Sequence, residues 1–166
     1  MALRIKIDAI DWKILKVLAG RGRITKTELS EAVALSPTPC HERMRRLEES
    51  GVIAGYRAEV DLSAISSLVY FITTIRISDY EFAQVKAFEA ACIAEPAILE
   101  CISVLGETDY VMKTATLDFE EYESVVTRLF RSQSFTVHYT THPVSRTLKS
   151  YDQLGLLDRC KPTRAR

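Results

Sequence analysis

The chain has 166 residues, of which 47% are hydrophobic and 27% charged, and its 22 basic and 22 acidic side chains balance. This composition allows one or two domains with buried cores and excludes a disordered chain, which would combine low hydrophobicity with a high net charge. The sequence has neither an apolar run of membrane-spanning length nor the apolar centre of a signal peptide, so we expect a cytoplasmic protein with no membrane partner.

The balanced total hides an uneven distribution of charge. Residues 1–60 hold 11 basic and 8 acidic side chains (+3), residues 61–142 hold 5 and 12 (−7), and residues 143–166 hold 6 and 2 (+4). A basic segment joined to an acidic one is typical of a module that binds nucleic acid fused to a module that avoids it.

The first part of the chain carries the pattern of short helices. Apolar residues between positions 8 and 18 recur on one side of a helix, and two carboxylates lie in its first turn, where they suit the helix dipole. Thr25 followed three residues later by Glu28 is a capping box, which predicts a second helix over about residues 26–33.

A third helix begins at one of two prolines. Ser36 followed by Pro37 supplies an N-cap residue and a first helical residue whose missing N–H is not needed. Thr38 followed by Pro39 offers a competing start, because the residue before a proline is disfavoured in helical geometry. Both starts lead to a helix that stops at Gly51, a natural left-handed terminator.

The third helix has a basic outer face. Cys40, Met44 and Leu47 recur at helical spacing and predict its buried side, which leaves Arg45 and Arg46 outside. A charged face on one helix is commonly no more than a solvated face. Three short helices with a tight turn before a basic third helix nevertheless match a helix-turn-helix, whose second helix enters the major groove of DNA.

The residues after Gly51 lead out of this module. Residues 52–61 alternate apolar and polar side chains on either side of Gly55, which predicts a strand or wing. We therefore predict a helix-turn-helix DNA-binding domain with its hinge strand at residues 1–60.

Residues 61–150 change to a pattern of strands and helices in the order βαββαβ. This order is that of the ferredoxin-like sandwich, so the fold class is α+β, and its exposed sheet face and edges would suit dimer formation. Residues 151–166 are predicted to be a basic C-terminal tail. The predicted strands are 68–77, 98–105, 110–117 and 134–142, and the predicted helices are 80–93 and a segment whose apolar residues are Tyr122, Val125, Val126, Leu129 and Phe130.

Three runs of sequence resemble the Lrp/AsnC family of bacterial and archaeal transcription regulators: DAIDWKILKVL from Asp8, LSPTPCHERMRRLEESGVIAGY from Leu35 and GETDYVMKT from Gly106. The resemblance extends from about Asp8 to Lys149. It implies a helix-turn-helix, a hinge strand and a βαββαβ domain that dimerises and binds small molecules, often amino acids. It also implies binding to double-stranded promoter DNA and assembly of homodimers into tetramers or octamers. Ala34 stands where the family has glycine, so this turn either avoids left-handed geometry or tolerates strain.

The predicted DNA contacts lie on the third helix and the wing. Arg43, Arg45 and Arg46 would bind phosphates and guanine edges. Thr38 and His41 in the first helical turn would contact bases, and Arg57 would contact the DNA backbone. For each side chain alone, a solvated surface position is about equally expected. The predicted contacts are Ser36, Thr38, His41, Glu42, Arg43, Arg45, Arg46 and Arg57.

The GETDY run predicts an effector site. Taken alone it would be a glycine-containing hairpin turn, and the family resemblance favours a ligand site instead. A free amino acid carries an ammonium and a carboxylate, so its pocket needs an acceptor such as Asp109 and backbone N–H donors such as those around Gly106. Tyr110 is a candidate pocket wall. The predicted site comprises Gly106, Glu107, Thr108, Asp109, Tyr110 and His142.

The alternative functions are a small metabolic enzyme and a metabolite sensor built on the ferredoxin-like half. The sequence has no phosphate-binding loop and no acid–base pair beyond Glu107 and Asp109 in one turn. Its four cysteines and three histidines lack metal-ligand spacing, so we expect no metal and no cofactor besides a small-molecule effector. The sequence thus predicts a non-enzymatic, sequence-specific DNA-binding transcription regulator that responds to an amino acid or a derivative.

Overall fold

A computed structural model describes residues 6–79, 81–131 and 136–160 and divides into two compact units. One unit combines the residues up to Val60 with those from Lys149 onwards, and the other spans Asp61–Leu148. None of the helices in the described ranges has the length and apolar character that crossing a bilayer requires.

The first unit opens with three helices that begin at caps encoded in the sequence. Helix α1 spans Ala9–Gly20, α2 spans Lys26–Val33 and α3 spans Pro37–Glu49. The predicted capping box of Thr25 and Glu28 is confirmed, because each side chain accepts a hydrogen bond from the backbone N–H of the other residue.

Helix α3 begins at the first of the two possible prolines. Pro37 is its first residue and Ser36 is its N-cap, so the alternative start at Pro39 is not used. Pro39 is tolerated inside the first turn because the amides of that turn have no partner within the helix. The helix ends before Gly51, which has a φ of 74°, as the sequence predicts.

The three helices share one small core. Its fully buried side chains come from all three helices, and the predicted buried stripe of α3 is confirmed, with Met44 partly buried at its edge. The residues of this core, each at most 3% exposed, are Ile14, Leu29, Val33, Cys40 and Leu47.

Ala34 occupies a left-handed conformation in the turn between α2 and α3. Its φ and ψ are 58° and 48°, and the N–H of Leu35 bonds to the Ser30 carbonyl at 2.9 Å to close the turn. Of the two options that the sequence leaves open, the turn therefore adopts left-handed geometry with a residue other than glycine. Such geometry places Cβ too close to the following carbonyl oxygen.

Replacing Ala34 by glycine is expected to raise the free energy of unfolding by about 0.5–1 kcal/mol, because relief of the Cβ clash exceeds the greater entropy of unfolded glycine. Urea unfolding followed by the fluorescence of Trp12 measures the change. The matched control is Ala32→Gly, which makes the same chemical change inside α2 and should lower stability by about 0.5–1 kcal/mol. Equal destabilisation by both substitutions would show that Ala34 carries no strain.

The hinge strand predicted at residues 52–61 is not formed. Residues 54–61 contain neither helix nor strand, and a short 3-10 turn follows at Leu62–Ala64. A strand needs a neighbour to complete its hydrogen bonds, and the described chain places none beside this segment. Tyr56 is held instead by its hydroxyl, which donates to Glu48 of α3 at 2.8 Å.

The second unit is a four-stranded antiparallel sheet with the strand order β2-β3-β1-β4. The chain order βαββαβ confirms the predicted ferredoxin-like arrangement. Residue 80 and residues 134–135 of the predicted elements lie outside the described residues. The elements are β1 (Val69–Ser78), α4 (Phe82–Ala94), β2 (Ile98–Ser103), β3 (Tyr110–Thr116), α5 (Phe119–Arg131) and β4 (Thr136–Pro143).

One face of this sheet packs against α4 and α5, and no element of the described part of this unit covers the other, open face. Phe71, Ile75 and Ile77 of β1 are at most 6% exposed among the helix side chains. Their neighbours Ile72 and Arg76 point the opposite way, because successive side chains of a strand alternate between its faces. Side chains that could meet a ligand or a second subunit therefore lie on the open face.

Part of the predicted C-terminal tail, residues 151–166, is helical. Helix α6 spans Gln153–Arg159, belongs to the first unit and packs on α1. Asp152 caps it by accepting from the N–H of Leu154 at 2.9 Å. The sequence pattern misses this helix because seven residues with Gly155 among them give too little helical periodicity.

Candidate DNA-binding surface and effector site

Helix α3 exposes one continuous polar stripe. Thr38, His41, Glu42 and Arg45 are all exposed and follow the i, i+3, i+4, i+7 spacing of a single helix face. Ser36, just before the helix, is also exposed, and its side chain makes no capping hydrogen bond. This stripe presents donors, acceptors and a cation in the arrangement that reading base edges requires.

The two prolines simplify the start of this helix. Of its first three residues only Thr38 retains an N–H, and the N–H of Cys40 already bonds to the Ser36 carbonyl at 3.3 Å. At the helix end that would approach a DNA backbone, few backbone N–H groups therefore need water as their hydrogen-bond partner.

Arg43 and Arg46 are not part of the exposed stripe. Both guanidinium groups bind the carboxylate of Asp11, a residue with 0% exposure, and Arg43 also binds Asp8. The bond from Arg43 Nη1 to Asp11 Oδ1 measures 2.9 Å. These ion pairs hold α3 against the start of α1, and the predicted DNA contacts of Arg43 and Arg46 stay predictions.

The same contacts lower the pKa of the Asp8 carboxylate. Burial raises the pKa of Asp8, but the N–H of Asp11, the Arg43 guanidinium and the N–H of Ile10 all donate to the carboxylate and lower its pKa to about 2. Asp8 is therefore ionised at neutral pH and binds Arg43 as a charged partner. We name Asp8, Asp11, Arg43 and Arg46 the α1–α3 clamp.

Arg45 and Arg57 remain available to a partner. Arg45 Nε lies 3.5 Å from Glu49, but both side chains are about two-thirds exposed, at 67% and 68%. Such an exposed pair is weak and is exchanged at little cost for a phosphate or a base. Arg57 is exposed in the segment after α3, where its carbonyl oxygen passes close to Gly22 in the turn before α2.

The GETDY loop connects β2 to β3, and its aspartate fastens the loop to β1. Asp109 Oδ2 accepts from the N–H of Ile77 at 2.7 Å, and the Asp109 N–H donates to the Ile75 carbonyl at 2.9 Å. Gly106 has a φ of 141°, a conformation that favours glycine. The predicted ammonium acceptor thus already has a structural role, whereas Glu107 is exposed and Thr108 half-buried.

Tyr110 faces away from any open pocket. It is 7% exposed, its ring packs edge-on against Phe88, and its hydroxyl donates to Glu89 at 3.0 Å. Burial and the bond to Glu89 raise the pKa of Tyr110 to about 12, so the hydroxyl stays protonated. The prediction of a pocket wall is corrected, because strand alternation turns this residue towards α4.

His142 is separated from the GETDY loop by the register of β4. It is exposed and pairs with Ile72, whereas Arg76, four residues further along β1, pairs with His138. Four residues span about 13 Å along a strand. The structure therefore brings His138 to the loop end of the sheet and leaves His142 outside the predicted site.

A depression of about 580 Å³ lies between the GETDY loop and the end of β4. It combines a guanidinium, a carboxylate, an imidazole and several hydroxyls, and within the described residues neither Arg76 nor Glu107 makes an ion pair. Its volume is in the range of small-molecule sites. The lining residues are Thr74, Arg76, Glu107, Thr108, Val137, His138, Tyr139 and Thr140.

The cysteines are free thiols in different environments: Cys40 and Cys92 are buried, Cys101 is half-buried and Cys160 is exposed. Across residues 6–79, 81–131 and 136–160, no cluster of histidine, cysteine and carboxylate side chains has the composition to hold a metal ion.

Comparison with known proteins shows which domain family each unit resembles. Residues 7–54 match the winged helix-turn-helix DNA-binding family, and residues 70–154 match the Lrp/AsnC ligand-binding domain. The chain is 34% identical over 145 residues to the transcriptional regulatory protein DoeX of Halomonas elongata, covering 87% of this chain and 92% of that protein. It is 41% identical over 120 residues to the leucine-responsive regulatory protein of Haemophilus influenzae, covering 72% of each.

A solved structure of similar fold is a transcriptional regulator from Neisseria meningitidis in complex with L-methionine. It has a TM-score of 0.80 and 30% sequence identity, and the match covers 87% of this chain and 94% of that one. The matches extend over both units and confirm the resemblance of the three sequence runs. The chain belongs to the Lrp/AsnC family of transcription regulators.

Proposed function

We propose that this regulator binds promoter DNA through the exposed stripe of α3 and responds to an amino acid bound beside the GETDY loop. The observation that carries the DNA half is the separation of the arginines of α3 into two roles. Arg45 is exposed with the stripe, whereas Arg43 and Arg46 are bound in the α1–α3 clamp. A recognition helix needs both a free face and a rigid attachment to the unit behind it.

In this proposal each residue of the stripe has a defined partner on DNA. Arg45 donates to a guanine edge, Glu42 accepts from a cytosine amino group, and Thr38 and His41 contact neighbouring bases. Ser36 and Arg57 contact phosphates on either side of the groove and set the register of the helix on the duplex. Arg46, whose side chain is 48% exposed, adds a phosphate contact from the edge of the clamp.

The effector half follows from the chemistry of the depression. An α-amino acid carries a planar carboxylate and an ammonium on the same Cα, so it needs a cation and an anion close together. Arg76 binds the carboxylate in a bidentate manner and Glu107 accepts from the ammonium, while Thr108 and His138 supply further hydrogen bonds. Asp109 and Gly106 shape the loop that presents Glu107.

Replacing Arg76 by alanine, or Glu107 by glutamine, is expected to abolish the response to an amino acid while leaving the fold intact. Each substitution removes one charge partner, and removing a charge-assisted hydrogen bond from a binding site costs about 1.5–3 kcal/mol, or roughly 10- to 150-fold in affinity. A thermal-shift screen of L-leucine, L-methionine and the other protein amino acids on wild type identifies the ligand. The two variants are then titrated with that ligand.

His142→Ala is the matched control for these variants. It removes an exposed polar side chain from the same sheet, about 13 Å along the strand from His138, and should retain the wild-type ligand affinity. Loss of binding in His142→Ala together with wild-type binding in Arg76→Ala would move the site to the other end of β4.

The open face of the sheet suits a second copy of the chain. Its half-buried apolar side chains include Tyr70, Ile72 and Val111, and β2 and β4 are free edges within the described unit. We propose a homodimer through this face and its edges, which assembles further into a tetramer or octamer.

Light scattering is therefore expected to give a particle of at least twice the 18.8 kDa chain mass at micromolar concentration. The physical reason is that a monomer would leave apolar residues of the open face in contact with water. A particle of 18.8 kDa that is unchanged up to roughly 100-fold higher concentration would contradict the proposed dimer.

A further inference from the structure

Two cysteines of the second unit lie against each other. Cys92 belongs to the buried face of α4 and is 4% exposed. Cys101 lies on β2 and packs, partly buried, against the same core cluster. The thiol of Cys92 donates a hydrogen bond to the sulfur of Cys101. The two sulfur atoms are therefore in contact, which allows thiol chemistry that neither residue could perform alone.

The two thiols differ in their access to solvent. β2 is an end strand of the sheet, and Cys101 on it is half-buried, whereas Cys92 is buried. The side chain of Cys101 lies on the helix side of the sheet with Cys92, away from the open face that is proposed to meet a second copy of the chain. A small oxidant that arrives from solvent therefore meets Cys101 before Cys92.

The contact also makes the two thiols unequal as nucleophiles. The hydrogen bond from Cys92 lowers the pKa of Cys101, although burial and the carboxylate of Glu89 act in the opposite direction. The same hydrogen bond, together with burial, raises the pKa of Cys92. Since the thiolate is the form that attacks an oxidant, Cys101 reacts first and Cys92 remains a thiol beside it. A cysteine of lowered pKa next to a second, resolving cysteine is the arrangement of redox-sensing sites.

We propose that Cys92 and Cys101 form a redox modification site, at which a hydroperoxide converts the two thiols into a disulfide between α4 and β2. The Cys101 thiolate attacks a peroxide oxygen: an S–O bond forms, the O–O bond breaks, and the released alkoxide or hydroxide takes up a proton. Cys92 then loses its proton and attacks the sulfur of the resulting sulfenic acid, so that the S–S bond forms and the S–O bond breaks to release water. The two thiols thereby lose two electrons, which reduce the hydroperoxide to water and an alcohol, or to water alone when it is hydrogen peroxide.

The disulfide would fasten the strand that leads into the GETDY loop. It closes the segment from Cys92 to Cys101, which contains the end of α4 and the beginning of β2. Because the sulfur atoms are already in contact, we expect the bond to form while both elements keep their positions. A disulfide that fits the folded chain stabilises it by restricting the unfolded chain.

The test treats the reduced full chain with hydrogen peroxide, alkylates the remaining thiols with iodoacetamide in denaturant and analyses a tryptic digest by mass spectrometry. Cleavage after Lys86 and Lys113 yields one peptide, 87–113, that holds both Cys92 and Cys101. This peptide should lose two hydrogen atoms and both alkylation sites together, and dithiothreitol should restore them. The exposed thiol of Cys160 lies on another peptide, and its own oxidation shows that the oxidant is active.

Two variants test the order of attack. Cys92→Ala removes the resolving thiol, so Cys101 should accumulate as a sulfenic acid that dimedone labels. In Cys101→Ala the buried Cys92 should remain a thiol and stay unlabelled. Labelling of Cys92 in the second variant without labelling of Cys101 in the first would contradict the assigned order.

The digest of wild type decides the proposal without any substitution. If peptide 87–113 still carries two alkylated cysteines after the Cys160 thiol has been consumed, the pair is not a redox site, and the same holds if its cysteines appear only in disulfides between chains. The oxidised second unit should unfold about 10 °C above the reduced one in thermal scans followed by far-UV circular dichroism. An unchanged or lower unfolding midpoint would contradict a bond that fits the positions of α4 and β2.

Discussion

Replacing Arg43 and Arg46 together by methionine is expected to lower the free energy of unfolding of the three-helix unit by about 3–5 kcal/mol. Asp11 is 0% exposed, and these two guanidinium groups are its charged partners. Methionine preserves most of the side-chain length but leaves a buried carboxylate without a cation. Urea unfolding followed through Trp12, the only tryptophan of the chain and a neighbour of Asp11 in α1, reports this unit directly.

Two further variants separate the effect of the ion pairs from that of packing. Adding Asp11→Leu to the double variant removes the unpaired charge, so stability should return to within about 1 kcal/mol of wild type, since apolar replacement of a whole buried ion pair is often neutral. Arg45→Met alone should change stability by less than about 0.5 kcal/mol, because its pair with Glu49 is exposed. Wild-type stability in the Arg43 and Arg46 double variant would mean that the clamp holds nothing together.

The second expected result concerns DNA specificity. Replacing Arg45 by alanine should weaken binding to the operator by about 1–3 kcal/mol and weaken binding to random DNA far less, because the substitution removes a hydrogen bond to a base. His41→Ala should act in the same direction from the previous turn of the helix. Anisotropy titrations on operator and random duplexes at one salt concentration measure both affinities.

Arg131→Ala, an exposed arginine on the other unit, is the control for Arg45→Ala and should bind both duplexes like wild type. The unfolding midpoint of Arg45→Ala should also match wild type. Weaker DNA binding then results from a lost base interaction and not from a destabilised helix. If Arg45→Ala retains the full preference for the operator, the stripe is not the surface that reads bases.

Local signals account for the elements that the sequence predicts well. The capping box at Thr25 and the proline after Ser36 act within one helical turn, so they locate helix starts without knowledge of the rest of the chain. The βαββαβ order likewise follows from alternation and helical spacing in each segment.

The roles of the α3 arginines could not be predicted from α3 alone, because two of them bind carboxylates of α1. At about 100° per residue, Arg43 is only about 60° from Cys40, at the border of the buried stripe, whereas Arg45 and Arg46 are about 140° and about 120° from it, on the outer face. A border residue can turn either way. The spacing of Asp8 and Asp11 on α1, three residues apart like Arg43 and Arg46, is the signal that would have found the clamp.

The effector site could not be completed from the sequence because it depends on strand register. The GETDY loop is a local motif, but Arg76 and His138 join it only through the pairing of β1 with β4. A choice between His138 and His142 requires that register, since both lie on the same face of one strand. The hinge strand was predicted from alternation alone, which does not supply the neighbour that a strand needs.

The most direct test of an amino-acid-responsive DNA-binding regulator is a titration of the full chain against the gene's own upstream duplex, with and without the amino acid identified by thermal shift. We expect the upstream duplex to be bound at least about 1,000-fold more tightly than random DNA, in the range of specific regulators. Saturating amino acid should change that affinity by about 5- to 150-fold, as expected for coupled sites, and Arg76→Ala should bind the duplex normally without this change. Equal affinity for upstream and random DNA, unaffected by the amino acid, would contradict the proposed function.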